Sequence, residues 1–474
     1  MIKDKFDAVI VGSGPNGLAA AIALKQAGLY VLIVEEKDTI GGGTRTEELT
    51  LSGFRHDVCS AIHPMAIHSP FLSTLPLERF GLEYLHSPVV AAHPFDNEEA
   101  AFLMNGIDDT AFSLGIDKQA YYDLISPVVE NWDKIINDIL APFRFPAHPQ
   151  AMAAFGLRAL QPAARIVRRF KGQRARGLWA GMAGHSIQSL ENWTTAAIGL
   201  VLTSAAHIKG WPLSRGGSAA ITTAMANYFL SIGGRIETNR TVKKIEELPS
   251  AKAYLLDVTP KQLLGIAGHH FSEWYKKQLQ RYQYGMGVFK IDWALSEPIP
   301  FKSAFCRQAA TVHIGGTYEE IAYSEQETEK GKHVEKPFVL LSQQSLFDSC
   351  RAPVGKHTAW AYCHVPNASQ KDMTTAIENQ IERFAPGFKD IILAKHSMNT
   401  VNLQTYNPNY VGGDINGGVI NLRQLYTRPA IKWTPYKTSA KDIYICSSST
   451  PPGGGVHGMC GYYAAQAVLK NCFS

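Results

Sequence analysis

The sequence predicts an α/β fold in which both ends of the chain build one parallel sheet and an α+β domain is inserted between them. Three observations predict it. A short apolar strand, a glycine turn and a helix run together without a linker from Phe6 to Gly28. A second strand-rich unit follows Trp211, and the chain closes on a third strand, a proline-glycine turn and a small-residue helix. Glycine motifs stand at opposite ends of the chain; if both serve one site, the domain that holds them is discontinuous: 1–63, 205–268 and 432–474, with 64–204 and 269–431 forming the inserted domain.

The opening element, FDAVIV, is a continuous apolar run, the pattern of a parallel strand buried on both faces. It enters Gly12-Ser13-Gly14-Pro15-Asn16-Gly17, then the helix LAAAIALKQAG and a second strand, Tyr30 to Val34, which ends at Glu35. The glycines divide the work of the turn. Gly12 permits its tightness, Gly14 lets backbone approach a pyrophosphate, and Gly17 allows close helix–strand packing. The helix N-terminus, opening with Pro15 and Asn16, offers unpaired amides and the positive end of its dipole to phosphate. Glu35, about 20 residues on, is placed to accept hydrogen bonds from ribose hydroxyls, and an acid there disfavours a 2′-phosphate. The unit reads as a Rossmann-type dinucleotide site.

Next comes DTIGGGTRTEELTLSGFRHD, with Gly41, Gly42 and Gly43 ahead of Thr44, Arg45 and Thr46. This loop resembles the glycine doublet and arginine of glutathione-reductase-like FAD proteins, and within them the phytoene desaturase and flavin amine oxidase superfamily. GFRHD, SAIHP, RAPVGKHTAWAYCHVP and NPNYVGGDINGG resemble the phytoene-dehydrogenase-like, pyridine nucleotide-disulphide oxidoreductase domain-containing branch. The resemblance implies FAD as cofactor, a loop of Gly42, Gly43 and Thr44 crossing the diphosphate, and Arg45 in contact with the cofactor. It also implies that Val242, in the expected strand Val242 to Ile245, reads the adenine through main-chain contacts.

Composition sets the remaining bounds. A 474-residue chain with 45% hydrophobic and 18% charged residues has room for two folded domains. A net charge of +5 gives no ground for nucleic-acid binding. Seven cysteines without CxxC spacing point to a reduced compartment and no cysteine metal site. His56, His63 and His68 lack ligand spacing, so no metal is expected, although the resemblance would let His63 border the flavin. No run approaches the length of a bilayer span, and Trp193 to Ala206 reads as a buried helix. The expectation is a cytoplasmic protein, with peripheral membrane contact left open.

That opening rests on one stretch. After an expected helix from Lys118 to Leu140, seven bases and no acid occur between Leu157 and Trp179, interleaved with apolar residues. Such a segment can lie on an anionic membrane, or can be a solvated helix face or subunit contact. Further on, the helix after Gly217 ends at Gly233-Gly234, and strands are expected at Arg235 to Glu237 and Ala251 to Pro260. YGMGVFKIDWALSEPIPF has strand alternation with Lys290 at its centre. By comparison with flavin amine oxidases Lys290 would hold a water near the flavin; alternatively it pairs with Asp292 on the same face.

The closing unit sets Pro451-Pro452-Gly453-Gly454-Gly455-Val456-His457-Gly458 between a strand and the last helix. Gly453, Gly455 and Gly458 fit a second GxGxxG, but no strand or acid follows. By resemblance this turn closes the flavin site. Gly454, Gly455 and Val456 would supply amides, Met459 the next helical contact, and the helix dipole would stabilise charge on reduced flavin. His457 either lines the substrate side or makes a local hydrogen bond.

The resemblance implies an FAD-dependent oxidoreductase, foremost a desaturase or dehydrogenase of an isoprenoid or other hydrophobic small molecule, with Lys290 and His457 as catalytic candidates. A flavin amine oxidase, a redox-neutral flavin isomerase and a low-turnover flavin-bearing interaction protein stay open. Oligomeric state is not legible.

Overall fold

The computed structural model describes residues 5–473. Its first sheet has five parallel strands in the order Ile443–Ile445, Ala251–Leu256, Phe6–Val11, Val31–Val34, Arg235–Glu237. Phe6–Val11 lies at the centre because its apolar run can be covered on both faces. On one side the opening helix, Pro15–Gln26, packs against the closing helix, Met459–Cys472, and against Ala219–Ser231. Leu18 to Leu24 are buried all round, so this helix shows almost no amphipathic stripe. The contact with the closing helix is close: a Cβ on Gly461 would stand 1.8 Å from the Asn16 carbonyl oxygen.

The second sheet has seven strands in the order Ile392–Met398, Gly287–Leu295, His357–Val365, Val339–Ser342, Ala309–Ile314, Val89–Pro94, Ala100–Leu103. All pairs are antiparallel except Ala309–Ile314 with Val89–Pro94. Strand alternation divides its faces. Phe289, Ile291, Trp293 and Leu295 enter a core with Ile377, Ile381 and Phe384 of the helix Thr374–Phe384. Val288, Lys290 and Asp292 face the other way.

Two sequence expectations are corrected. The helix from Lys118 is two, Lys118–Glu130 and Trp132–Ile139, separated at Asn131, whose φ of −105° and ψ of 13° leave the helical region. Val242 to Ile245 is no strand. The Lys243 amide donates to the Glu247 carboxylate and Arg240 to the Glu247 carbonyl oxygen, so side chains pin this stretch as a loop ending in the turn Ile245–Glu247. Of the apolar residues in the basic segment, Ile166, Val167, Phe170, Leu178 and Trp179 are buried in the main core, while Leu157 is 76% exposed. Two of its bases meet acids, Arg174 with Glu99 and Arg176 with Glu319. Among the described residues no helix is long and apolar enough to cross a membrane.

Candidate functional site

A single cavity of 1420 Å³ runs from the carboxyl end of the first sheet to the inner face of the second. That exceeds the ~300–1,000 Å³ of an ordinary small-molecule pocket and gives room for a cofactor and a second molecule. Its wall includes Gly12, Gly14, Pro15, Asn16, Glu35, Gly42, Gly43, Thr44, Arg45, Val242, Gly454, Gly455, Val456 and His457. Gly17, Lys290 and Met459 are not on the wall.

The turn fits a dinucleotide phosphate group. Gly12 has a φ of +100°, the left-handed region that only glycine enters freely. A Cβ on Gly17 would lie 2.2 Å from the Gly12 carbonyl oxygen, so helix and strand close without space for a side chain. The glycine loop folds onto the same place: a Cβ on Gly42 would lie 3.1 Å from the Gly14 Cα, and one on Gly43 would lie 2.5 Å from the Tyr410 hydroxyl. Thr44 fixes the loop by donating to the Gly41 carbonyl oxygen at 2.8 Å, with the Thr222 hydroxyl 3.0 Å away.

Glu35 is the centre of a hydrogen-bond network on the cavity wall. One carboxylate oxygen accepts from the Ser13 amide (2.9 Å) and hydroxyl (2.6 Å), the other from the Lys37 amide (3.0 Å) and the Arg45 guanidinium (3.1 Å). Arg45 also donates to the Thr39 carbonyl oxygen. The guanidinium is therefore held against Glu35, a partner that the loop sequence did not suggest.

Sequence reasoning missed Asp257. It directly follows the strand Ala251–Leu256 and accepts from the Gly17 amide at 2.9 Å, so an acid lies among the helix amides where phosphate would bind. Enclosure by protein raises its pKa to about 7, an effect that the Gly17 hydrogen bond opposes and Glu35 reinforces. The available signal was its position at the carboxyl end of a parallel strand, where open α/β sheets bind ligands.

The two catalytic candidates are placed differently. His457 is buried on the cavity wall; its Nδ1 accepts from the Met459 amide at 3.0 Å, and its carbonyl oxygen accepts from Ser69 at 2.6 Å. Burial lowers its pKa to about 4, so the ring is neutral and the local hydrogen bond is made. Lys290 is buried in an ion pair with Asp292, with its ammonium 5.8 Å from the centre of the Trp360 ring that lines the cavity. The same-face pair is thus present, and Trp360 and Tyr362 stand at the wall instead. His63 lies on the wall with Nε2 3.0 Å from the Ser218 hydroxyl. Among the described residues one cluster has converging metal-type ligands, Glu246 with His269 and His270. It is exposed and ties the Val242 loop to the turn Gly268–His270.

Residues 10–72 match the NAD(P)-binding Rossmann-like domain family. Pyridine nucleotide-disulfide oxidoreductase domain-containing protein 2 of Mus musculus is 24% identical, the alignment covering 99% of this chain and 94% of that protein. Phytoene desaturase (lycopene-forming) of Pseudescherichia vulneris is 21% identical over 97% of this chain and 98% of its own. The chain is similar to both over nearly its whole length. Cyclohexylamine oxidase of Brevibacterium oxydans IH-35A shares the fold, with a TM-score of 0.62, 16% identity and coverage of 98% and 99% of the two chains. The Rossmann-like match contains the glycine turn, Glu35 and the Arg45 loop.

Proposed function

We propose that the chain is an FAD-dependent oxidoreductase that dehydrogenates a hydrophobic, isoprenoid-like substrate. The continuity of the cavity carries this reading: the glycine turn and Glu35 share one space with an apolar chamber that includes Met152, Phe155, Leu160, Ile198, Val201 and Leu202. When bound, the flavin supplies the hydride acceptor. The chain's residues do the positioning. Ser13 and Arg45 hold Glu35 toward the ribose, the amides of Gly14 and Asn16 face the diphosphate, and the turn Gly453 to Gly458 sets the closing helix against the cofactor. The aliphatic chamber keeps water from the reacting carbon.

Amine oxidation is the second reading, favoured by the shared fold with cyclohexylamine oxidase and by the Trp360–Tyr362 pair, ring centres 5.4 Å apart, on the wall. The loop Pro142 to Pro146 forms part of the cavity wall while Phe143 and Phe145 are 79% and 86% exposed, and Leu157 nearby is 76% exposed. With the exposed Arg165, Arg168 and Arg169 this suits peripheral contact with an anionic membrane from which a hydrophobic substrate would enter.

The test is the visible spectrum of the purified protein, followed anaerobically as polyenes and then amines are added. Bleaching of oxidised flavin by a polyene supports the dehydrogenase, and bleaching by an amine supports the second reading. Flavin that no donor bleaches favours an isomerase or interaction role, and a colourless protein whose cavity rejects added FAD overturns the proposal.

A further inference from the structure

The inner face of the second sheet is polar where the chamber above it is apolar. Register sets its rungs: Thr311 lies opposite Ser342, Ser342 opposite Trp360 and Trp360 opposite Asp292. Thr311, Ser342 and Trp360 all line the cavity. Thr311 is 5% exposed and Ser342 is 1% exposed, yet neither hydroxyl has a hydrogen-bond partner among the described residues. Two residues along the same face from Thr311, His313 joins its Nε2 to that of His185 at 2.9 Å, and His185 also lines the cavity.

A buried hydroxyl without a partner carries a desolvation cost that a ligand atom can offset. Two such hydroxyls on adjacent strands form a seat rather than an isolated defect. A hydroxyl both donates and accepts, so the seat suits an alcohol or a carbonyl oxygen. It offers a cation no counter-charge. The neighbouring acids are engaged, Asp292 with Lys290 and Glu325 with His364. Burial leaves His185 and His313 uncharged at neutral pH.

We propose that Thr311 and Ser342 seat the oxygen-bearing end of an otherwise apolar substrate, which makes the substrate class an uncharged isoprenoid-like alcohol or carbonyl compound rather than a plain hydrocarbon or an amine. This rests on the proposed cavity function and deepens it.

Geraniol and its hydrocarbon analogue myrcene are the probes, with binding read from quenching of tryptophan fluorescence, since Trp211 and Trp360 line the cavity. Thr311→Val with Ser342→Ala is expected to weaken geraniol binding about tenfold and to leave myrcene within about twofold, with a ligand-free Tm no lower than that of the wild type. Equal weakening of both probes, or of neither, overturns the seat. If the double variant does not fold, Ser342→Ala alone is read by the same criterion, with a loss for geraniol only of about threefold. Flavin absorbance of the same sample separates the two claims. Flavin without discrimination refutes the seat alone, and discrimination without flavin refutes the cofactor reading alone.

Discussion

Asp257 provides a quantitative test of how the dinucleotide turn is tuned. Its carboxyl accepts from the Gly17 amide, and enclosure raises its pKa to about 7. An unfolded aspartate titrates near 3.9. Between these values the unfolded chain has released a proton that the folded chain keeps, so stability falls as pH rises through this window and levels off above about 7. A shift of roughly 3 units corresponds to a ceiling of about 4 kcal/mol at 1.36 kcal/mol per unit. Asp257 is only half-buried because it borders the cavity, and hydration there leaves about 2 kcal/mol as the expected effect. Asp257→Asn keeps an oxygen to accept from Gly17 and removes the ionisation. Urea unfolding at pH 5 and pH 8 should show the variant gaining about 2 kcal/mol relative to wild type between the two. A wild-type-minus-variant difference that does not move with pH would refute the reasoning. The same substitution is expected to tighten FAD at pH 8 by removing a negative charge beside the diphosphate.

Gly14→Val is expected to abolish flavin binding. The backbone at φ −67° tolerates a side chain, but the new Cβ would stand 3.0 Å from the Asp257 carboxylate in the phosphate path, and a variant that stays yellow would refute the assignment. Burial holds His56, His93, His207 and His457 at pKa values of about 4, so their contribution to stability is complete above pH 6.5 and is lost as pH falls toward 4. Each contributes up to ~1.4 kcal/mol per pH unit, enough together to outweigh Asp257, and an unfolding free energy unchanged between pH 6.5 and 4.5 would contradict this. Lys290→Met should destabilise by about 3–5 kcal/mol because Asp292 is left buried without its cation, with most of the loss recovered by adding Asp292→Asn. A loss of flavin reoxidation rate that the second substitution does not recover would return Lys290 to a chemical role. Phe143→Ser with Phe145→Ser should reduce co-sedimentation with phosphatidylserine vesicles several-fold, and wild-type protein that ignores such vesicles removes the membrane proposal.

The sequence made the ends of the chain legible and the middle much less so. Phosphate binding demands glycine at fixed offsets, so Gly12, Gly14 and Gly17 announce themselves, and a short Val- and Ile-rich run directly before them reads as a buried strand. The inserted domain has no such chemical constraint. The alternation around Lys290 and Asp292 gave their shared face, whereas the alignment of Thr311 with Ser342 depends on register between strands that meet only on folding. Burial in the basic segment was not legible for a related reason. Ile166, Val167, Phe170, Leu178 and Trp179 have core partners contributed by distant parts of the chain, which periodicity alone cannot show. Arg45 carried a family role as a cofactor contact, and the structure adds the carboxylate that orients it.

The strand order has a consequence for synthesis. Phe6–Val11 leaves the ribosome long before its neighbour on one side, Ala251–Leu256, and longer still before the edge strand Ile443–Ile445. The opening helix waits for its cover until the helix Met459–Cys472 has emerged. The Rossmann-like domain is thus begun early and completed late, and throughout elongation its apolar surface has only an incomplete partner. A chain cut before Ile443 would retain the glycine turn yet present a sheet with an open edge and an uncovered helix, which makes it a substrate for chaperones and proteases rather than a smaller enzyme.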